Sequence, residues 1–370
     1  MVEWKKLGEV CAFNRGKTIT AKDAVDGDIP VIAGGQTPSY CHNEFNREGE
    51  SITVAGSGAY AGFVSYWNQP IFVSDAFTID PLKGLKHKYL FHWAKMNQGR
   101  IIATQKGAGV PHVHGKDIAN FLIPIPSLSE QQRIVSILDT FTSSISNLKQ
   151  QIEERRKQYE YERDLLLDLE GKEGVEMKKL GEITTTIKVG PFGSLLHKSD
   201  YIKGGIPLVN PIHMNNGYII KDESFSVSPE LAAKLCNYFL KTNDIVFARR
   251  GEIGRCAIVT EKENNYICGT GSLIVRFKER INSKYMLFLF QTPLCKNYLE
   301  KSAIGGSMLN INCDIVGKMV NPIPSFQEQS RIVSILDTFE QSIANLEAQL
   351  AMREKQYEYY REKLLRFEEA

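Results

Sequence analysis

The stretch PIPSLSEQQRIVSILDTF, Pro124–Phe141, occurs a second time as PIPSFQEQSRIVSILDTF at Pro322–Phe339, 198 residues later. The match continues to KQYEY at 157–161 and 355–359, so that 26 of 38 aligned residues are identical. A shorter echo, KKLGE, stands at 5–9 and again at 178–182, only 173 residues apart. The two halves of the chain therefore share a beginning and an end. The second half holds 25 more residues between them, the difference between the two offsets.

Both repeated segments carry a heptad pattern, in which seam residues alternate at spacings of four and three, as in a helix that winds around a partner. Each predicted helix opens with a capping box, Ser127-x-x-Glu130 and Ser325-x-x-Glu328. We predict two helices of about 40 residues, each ~60 Å long. The seam positions are Ile134, Leu138, Phe141, Ile145, Leu148 and Ile152 in the first copy, and Ile332, Leu336, Phe339, Ile343, Leu346 and Leu350 in the second. An arginine occupies the next seam position in both copies, Arg155 and Arg353.

Matched seams in one chain most simply pair with each other. The roughly 145 residues between them should form a globule with a radius of gyration of ~15 Å, whose two ends would not lie ~60 Å apart. We therefore predict an antiparallel intramolecular coiled coil with one globule at each end and a pseudo-twofold internal repeat. The alternative is that each helix packs only on its own globule.

The segments between the repeats mix short strand-like runs, glycine-rich turns and one aromatic helix each, near Lys88–Asn97 and Lys284–Asn297. The predicted fold class is α+β, with two mixed α/β domains separated by the two long helices. The predicted boundaries are 1–123 for the first domain, 124–170 for the first helix, 171–321 for a linker and the second domain, and 322–370 for the second helix.

The composition argues against a membrane-spanning protein and against a protein stabilised by disulfides. No run reaches the ~18 apolar residues that span a bilayer, and the seven cysteines include no CxxC pair. Both features favour a cytoplasmic protein with reduced thiols. The net charge of +2 conceals a segregation, because residues 4–123 carry 13 basic against 10 acidic side chains and residues 177–321 carry 19 against 12. A basic surface favours a polyanion such as nucleic acid.

Glycine-rich polar loops in both variable segments are the candidate DNA-binding elements. Arg and Lys can bond guanine edges or phosphates, Asn and Gln can pair with adenine edges, and Ser and Thr can do either. The candidate residues are Gly34, Gln36, Thr37, Ser57, Tyr60 and Lys106 in the first segment, and Lys188, Phe192, Ser194, Asn210, His213, Arg249, Arg250 and Ser307 in the second.

Enzyme-like strings do not assemble into a catalytic or metal site. Gly56-x-Gly58-x-x-Ala61 follows a strand as a dinucleotide fingerprint would, but the next residues read as another strand rather than a helix. His112-x-His114 could place two ligands on one face of a strand, but no further ligand cluster supports them. We assign no catalytic and no metal-binding residue.

This layout resembles the specificity (S) subunit of type I restriction-modification systems. The resemblance covers the whole chain and rests on the two helices that open Pro-x-Pro-[x]3-Glu-Gln at residues 124–131 and 322–329. It rests also on the strings Gly190-Pro-Phe-Gly-Ser194 and Asp244-Ile-Val-Phe-Ala-Arg-Arg-Gly251. The string Ala55-Gly-Ser-Gly-Ala59 stands in the first domain where Ala248-Arg-Arg-Gly-Glu252 stands in the second.

The resemblance implies a non-catalytic subunit whose two target-recognition domains each read half of a bipartite, non-palindromic site on double-stranded DNA. It also implies that the helices set the spacer and hold two methyltransferase subunits, with motor-nuclease (restriction) subunits completing the complex. Tyr161 and Tyr359 are candidate methyltransferase contacts. The chain itself would hold no cofactor, whereas S-adenosylmethionine, Mg and ATP would be used by the partner subunits.

Two other functions fit parts of the sequence. A self-contained DNA-modifying enzyme, either nuclease or methyltransferase, would act without partners. A coiled-coil scaffold that binds proteins would show no salt-sensitive affinity for DNA. The basic variable segments favour DNA binding over the scaffold.

Overall fold

The computed structural model of the protein describes residues 2–250, 254–303 and 310–367. Packing divides the chain into two compact units: Met1–Gln151 with Leu346–Ala370, and Ile152–Asn345. As far as Leu167 the strands are β1 (Glu3–Lys6), β2 (Cys11–Arg15), β3 (Ile29–Ile32), β4 (Tyr40–His42), β5 (Glu50–Ala55), β6 (Val64–Asn68), β7 (Phe72–Val73), β8 (Ala76–Pro81) and β9 (Leu122–Ile125). The helices over the same range are α1 (Leu7–Val10), α2 (His87–Met96), α3 (Gln98–Ile102), α4 (Gly115–Ile118) and α5 (Leu128–Leu167).

Beyond Leu167 the strands are β10 (Glu176–Lys179), β11 (Thr184–Val189), β12 (Ile206–Val209), β13 (Met214–Asn215), β14 (Tyr218–Ile219), β15 (Ser226–Val227), β16 (Ile245–Ala248), β17 (Cys256–Ile258), β18 (Ile267–Cys268), β19 (Ser272–Phe277) and β20 (Val320–Ile323). The helices are α6 (Leu180–Ile183), α7 (Pro229–Lys234), α8 (Ser283–Phe290), α9 (Pro293–Ser302), α10 (Cys313–Lys318) and α11 (Phe326–Leu365). None of the described helices is both long and apolar enough to cross a membrane.

The first unit contains a four-stranded antiparallel sheet in the order β2-β8-β5-β6 and a three-stranded sheet in the order β4-β3-β7. Its first strand, β1, pairs with its last, β9, and so closes the domain. Helix α2 packs Tyr89 and Trp93 into a core with Ile52 and Ile79 of the larger sheet. These side chains are buried, which removes large apolar surfaces from water and stabilises the unit.

The second unit repeats this topology. Its sheets run β11-β19-β16-β17 and β15-β12-β18, and β10 pairs with β20 as β1 pairs with β9. Most of the additional residues lie in two connections. Residues 210–225 contain the β13-β14 hairpin where the first unit has only 33–39, and residues 228–244 contain α7 where it has only 43–49.

The long helices pair in antiparallel fashion within each unit. In the first unit the Phe141 ring stacks on Tyr360 at 5.2 Å between centroids, and Lys149 forms an ion pair with Glu354 at 3.2 Å. Ascending numbers in α5 therefore meet descending numbers in α11. In the second unit Tyr159 of α5 packs on Phe339 at 6.4 Å.

The seam residues are all buried or half-buried. Ile134 and Leu138 also enter the core of the first unit, and Ile332 and Leu336 enter that of the second. The predicted antiparallel pairing is confirmed, and each helix also packs on its own domain. The alternative, in which each helix packs only on its own globule, is wrong. The seam arginines stand over phenylalanine rings, Arg155 over Phe339 at 5.9 Å and Arg353 over Phe141 at 5.7 Å.

Two local features differ from the sequence prediction. The single helix expected over Lys284–Asn297 is two helices, because Pro293 cannot continue α8 and instead occupies the first position of α9. The capping serines do accept from the backbone, Glu130 N to Ser127 Oγ at 3.3 Å and Glu328 N to Ser325 Oγ at 3.2 Å. The Glu130 carboxylate, however, accepts from the Arg133 guanidinium at 2.7 and 2.8 Å.

Candidate nucleic-acid interface

In the first unit, the loops that follow β3, β5 and β7 meet the segment before α4. We call this meeting point, made by Gly34, Gly56, Ser57, Asp75 and His112, the first junction. Gly56 N donates to Asp75 O at 3.1 Å, Val113 N donates to Gly56 O at 3.0 Å, and Ser57 forms an isolated bridge with His112. Backbone hydrogen bonds and close contacts therefore join four segments that are far apart in sequence.

Gly34 lies in the loop after β3 and touches the Ser57 backbone so closely that a Cβ there would overlap the Ser57 carbonyl oxygen. Only glycine permits this approach. The close contact fixes the loop that carries Gln36 and Thr37, both of which are exposed. Gly34 thus positions this loop by its backbone.

The remaining predicted residues of the first unit surround the first junction. The Ser57 hydroxyl is hydrogen-bonded to the Asp75 carboxylate. The Tyr60 side chain is 50% exposed. Lys106 is exposed, joins the junction through its backbone hydrogen bonds with His112, and pairs with Asp117, whose carboxyl pKa it lowers by this hydrogen bond.

The second unit has a matching meeting point, which we call the second junction, made by Asn210, Arg249, Arg250, Gly269 and Asn310. Arg249 N donates to Gly271 O at 2.9 Å, Ile311 N donates to Arg249 O at 3.0 Å, and Arg250 forms an isolated bridge with Asn310. The Asn210 side chain packs against Gly269, where a Cβ would overlap it.

The two arginines of the second junction lie in different surroundings. Arg249 is half-buried and donates from Nε to Asn310 Oδ1 at 3.2 Å. Its pKa is lowered first by desolvation and then by the adjacent charge of Arg250, which is exposed. Among the described residues, no carboxylate pairs with either arginine.

The end of β11 and the loop after it supply three other predicted residues. Lys188 stands over the Tyr238 ring at 4.6 Å and donates to Asn237 O at 3.4 Å, so its ammonium is held by the protein. The Phe192 side chain is 58% exposed, and Ser194 is exposed. Ser307 lies outside the described residues.

The predicted DNA contact of His213 does not agree with the position of its side chain. The sequence suggested a DNA contact, but its side chain is only 4% exposed and stacks edge-on against Phe225 at 5.0 Å. Its Nδ1 accepts from Asn210 N at 3.1 Å, and burial lowers its pKa. His213 therefore holds the backbone that carries Asn210 and does not reach a base edge in this conformation.

Asp75, His112 and Asn310 belong to the junctions, although their sequence surroundings do not predict it. The His112-x-His114 spacing suggests only a possible metal ligand pair. The His112 ring stacks on His114 at 6.2 Å, and its Nδ1 lies 2.8 Å from Val110 O. Across residues 2–250, 254–303 and 310–367, no group of three or more His, Cys, Asp or Glu side chains is placed to hold a metal ion. The sequence around Asn310 does not predict its place in the second junction, because only the fold brings it beside Arg250.

The two junctions use the same backbone hydrogen bonds at equivalent places. Gly56 corresponds to Arg249, Ser57 to Arg250 and His112 to Asn310. The alignment of Ala55–Ala59 with Ala248–Glu252 is thus supported by geometry for its described residues. The same backbone arrangement carries two different sets of side chains, and only the set of the second unit contains arginines.

Comparison with known proteins places the chain in a family. The model of the type I restriction modification DNA specificity domain matches it twice, at residues 1–155 and 172–352. The chain therefore belongs to the family of type I restriction-modification DNA specificity domains, in agreement with the resemblance seen in its sequence.

Individual relatives match over nearly the whole length. The chain is 29% identical to a putative type I restriction enzyme specificity subunit of Haemophilus influenzae, over 99% of this chain and 96% of the relative. It is 28% identical to the EcoR124I/EcoR124II specificity subunit of Escherichia coli, over 99% and 94%. The crystal structure of a type I S subunit from M. genitalium superposes with a TM-score of 0.66 at 19% identity, covering 100% of this chain and 97% of that one. The predicted fold class is confirmed.

Proposed function

We propose that this specificity subunit reads a bipartite, non-palindromic sequence in double-stranded DNA, with one half-site read by each unit. The observation that carries the proposal is the pair of junctions, in which one backbone frame presents Gly56, Ser57 and His112 in one unit and Arg249, Arg250 and Asn310 in the other. Equal frames with unequal side chains suit two readers of similar geometry and different base preference. Two identical readers would instead favour a palindrome.

Affinity and specificity would come from different groups. The exposed cations of residues 4–123 and 177–321, which carry 13 and 19 basic side chains, supply salt-dependent phosphate contacts. Side chains of the junction loops read base edges in the grooves. Phosphate contacts fix the register of each unit on the duplex, and the base contacts then discriminate.

The repeated helices would determine the spacer and bind the methyltransferase subunits. Tyr161 and Tyr359 are 198 residues apart, and their side chains are 67% and 59% exposed. Leu128 and Phe326, at the same offset, are exposed apolar residues at the helix starts. One surface presented twice fits two copies of one partner, and motor-nuclease subunits would complete a restriction complex. S-adenosylmethionine, Mg and ATP would be bound by these partners, and the chain would act in the cytoplasm without catalysing a reaction.

The test is selection of bound duplexes from a random DNA pool by the full chain, with its methyltransferase partner added if binding requires it. Sequencing the bound DNA at about 50 and about 200 mM salt measures both the target and the electrostatic contribution. Two unlike short motifs at a fixed gap are expected, with weaker binding at the higher salt. A single continuous motif, or no enrichment, would contradict the proposal. DNA modification by the purified chain alone would favour the enzyme alternative.

A further inference from the structure

Arg249 has the surroundings of a side chain that reads a base. Its backbone is held on both sides, by the hydrogen bond from its own N–H to Gly271 O and by the one from Ile311 N–H to its carbonyl. Its side chain is held as well, because Nε donates to Asn310 Oδ1 at 3.2 Å. An arginine side chain that is held at its backbone and at Nε loses less conformational entropy on binding than a free one.

The outer edge of the Arg249 guanidinium is unpaired within residues 2–250, 254–303 and 310–367. Among the described residues, its two terminal nitrogens have no acceptor and no carboxylate neutralises its charge. Arg250 adds a second positive charge beside it. Two adjacent cations that have no counter-ion among the described residues, one of them half-buried, favour an anionic or acceptor-rich partner.

The first unit shows what the same frame looks like without this charge. Gly56 occupies the place of Arg249, and a Cβ there would lie 3.2 Å from Asp75 O. Ser57 occupies the place of Arg250, and its hydroxyl is already hydrogen-bonded to Asp75. Arginine at this place is therefore a property of the second unit alone.

We propose that Arg249, oriented by Asn310, reads a guanine in the half-site of the second unit, while Arg250 contacts a phosphate. The inference rests on the proposed function and names the base that one reader selects. An arginine fork matches the O6 and N7 acceptors of guanine in the major groove, whereas an exposed arginine on a flexible stem suits a phosphate. Asn310 is a positioning residue, since it acts on the DNA only through Arg249.

The experiment repeats the random-pool selection with the full chain carrying Arg249→Lys, Arg250→Gln or Asn310→Ala. Arg249→Lys keeps the charge and removes the fork. It should lower the preference for guanine at one position of one motif by about 5- to 150-fold, with the salt dependence unchanged. Arg250→Gln should weaken binding to all sequences alike and reduce the slope of log K against log salt by about 1. Asn310→Ala should reduce the same guanine preference as Arg249→Lys.

Two controls separate the possible failures. Lys262→Gln removes a charge from the exposed turn that follows β17, at the opposite end of the sheet from the second junction. It should leave both motifs and the guanine preference unchanged, because a phosphate contact carries no base preference. Thermal unfolding of each variant shows whether it is folded. Wild-type chain that selects no bipartite motif would overturn the proposed function and this inference with it. If the Arg249→Lys variant selects both wild-type motifs without change, the inference is overturned but the proposed function is not. The same holds if both motifs change instead of one.

Discussion

Lys95 carries its charge in a partly buried position beside the turn that joins β5 to β6. Its ammonium lies 3.9 Å from the centroid of the Phe63 ring and donates to Val64 O at 3.1 Å and to Gln98 Oε1 at 2.9 Å. Burial, with a smaller contribution from Arg361, lowers the pKa of Lys95 from 10.5 to about 8. These contacts do not fully replace the water that the ammonium loses on folding.

Stability should therefore depend on pH through Lys95. Above pH 8 the folded state releases this proton, while the unfolded chain keeps it until about pH 10.5, so the unfolded state binds more protons and stability rises with pH in this window. Compared with a Lys95→Met variant, the wild-type protein should gain about 1 kcal/mol between about pH 7 and pH 9.5, after allowance for solvent screening. Urea unfolding of both proteins at the two pH values measures this difference. The Lys83→Met variant, at an exposed position, controls for the loss of a lysine. If the free energy of unfolding of the wild type, relative to Lys95→Met, falls as pH rises, the lowered pKa of Lys95 is contradicted.

Gln131 and Gln329 join each long helix to its own domain. Gln131 is fully buried, accepts from Lys86 N at 2.9 Å, and donates to Gly84 O and Pro126 O, both at 2.9 Å. Gln329 accepts from Asn282 N at 2.8 Å and donates to Pro324 O at 2.9 Å. One side chain thus links the start of a long helix to the start of the aromatic helix. This accounts for the glutamine of the repeated Glu-Gln pair.

Gln131→Ala should destabilise the first unit by about 2–4 kcal/mol, because it creates a cavity and removes the partner of the buried Pro126 carbonyl and of two part-buried groups, Lys86 N–H and Gly84 O. The exposed neighbour Gln132 is the matched control, and Gln132→Ala should change stability by less than about 0.5 kcal/mol. Urea unfolding, followed by hydrogen exchange to locate the change, tests both. Equal stability of the two variants would show that the buried hydrogen bonds of Gln131 are replaceable.

The elements that the sequence predicts best are those in which a periodic pattern repeats over a long stretch. The heptads of α5 and α11 extend over 40 residues each, so that a chance pattern is excluded. Strands β1 and β10 were missed because Glu3–Lys6 and Glu176–Lys179 are rich in charged residues, and their pairing with β9 and β20 depends on residues more than 100 positions away. The junctions could not be predicted for the same reason. Glycine-rich strings located Gly34 and Arg249, but only the fold brings Asp75, His112 and Asn310 to them.

At the scale of the whole molecule, duplication followed by divergence explains why the repeated and variable segments differ in chemistry. The repeated segments supply the seams, the capping serines and the buried glutamines, all of which interact with the protein itself. The variable segments supply the junction side chains, whose partners lie outside the chain in the proposed function. A change at a junction can therefore alter a half-site without disturbing the helix pair.

The length of the helix pair should set the spacer between the half-sites. The ion pair of Lys149 with Glu354 marks where the helices face each other in the first unit, so three heptads inserted after Lys149 and three before Arg353 keep both seams in register. Twenty-one residues add roughly 31 Å of helix, close to one turn of DNA at ~34–36 Å, which keeps both half-sites on the same face of the duplex. We expect the selected motifs to keep their sequences while the gap between them lengthens by about 9–10 base pairs. Circular dichroism and thermal unfolding establish that the extended helices fold. A folded variant that still selects the original gap would show that the spacer is fixed elsewhere than in the helix pair.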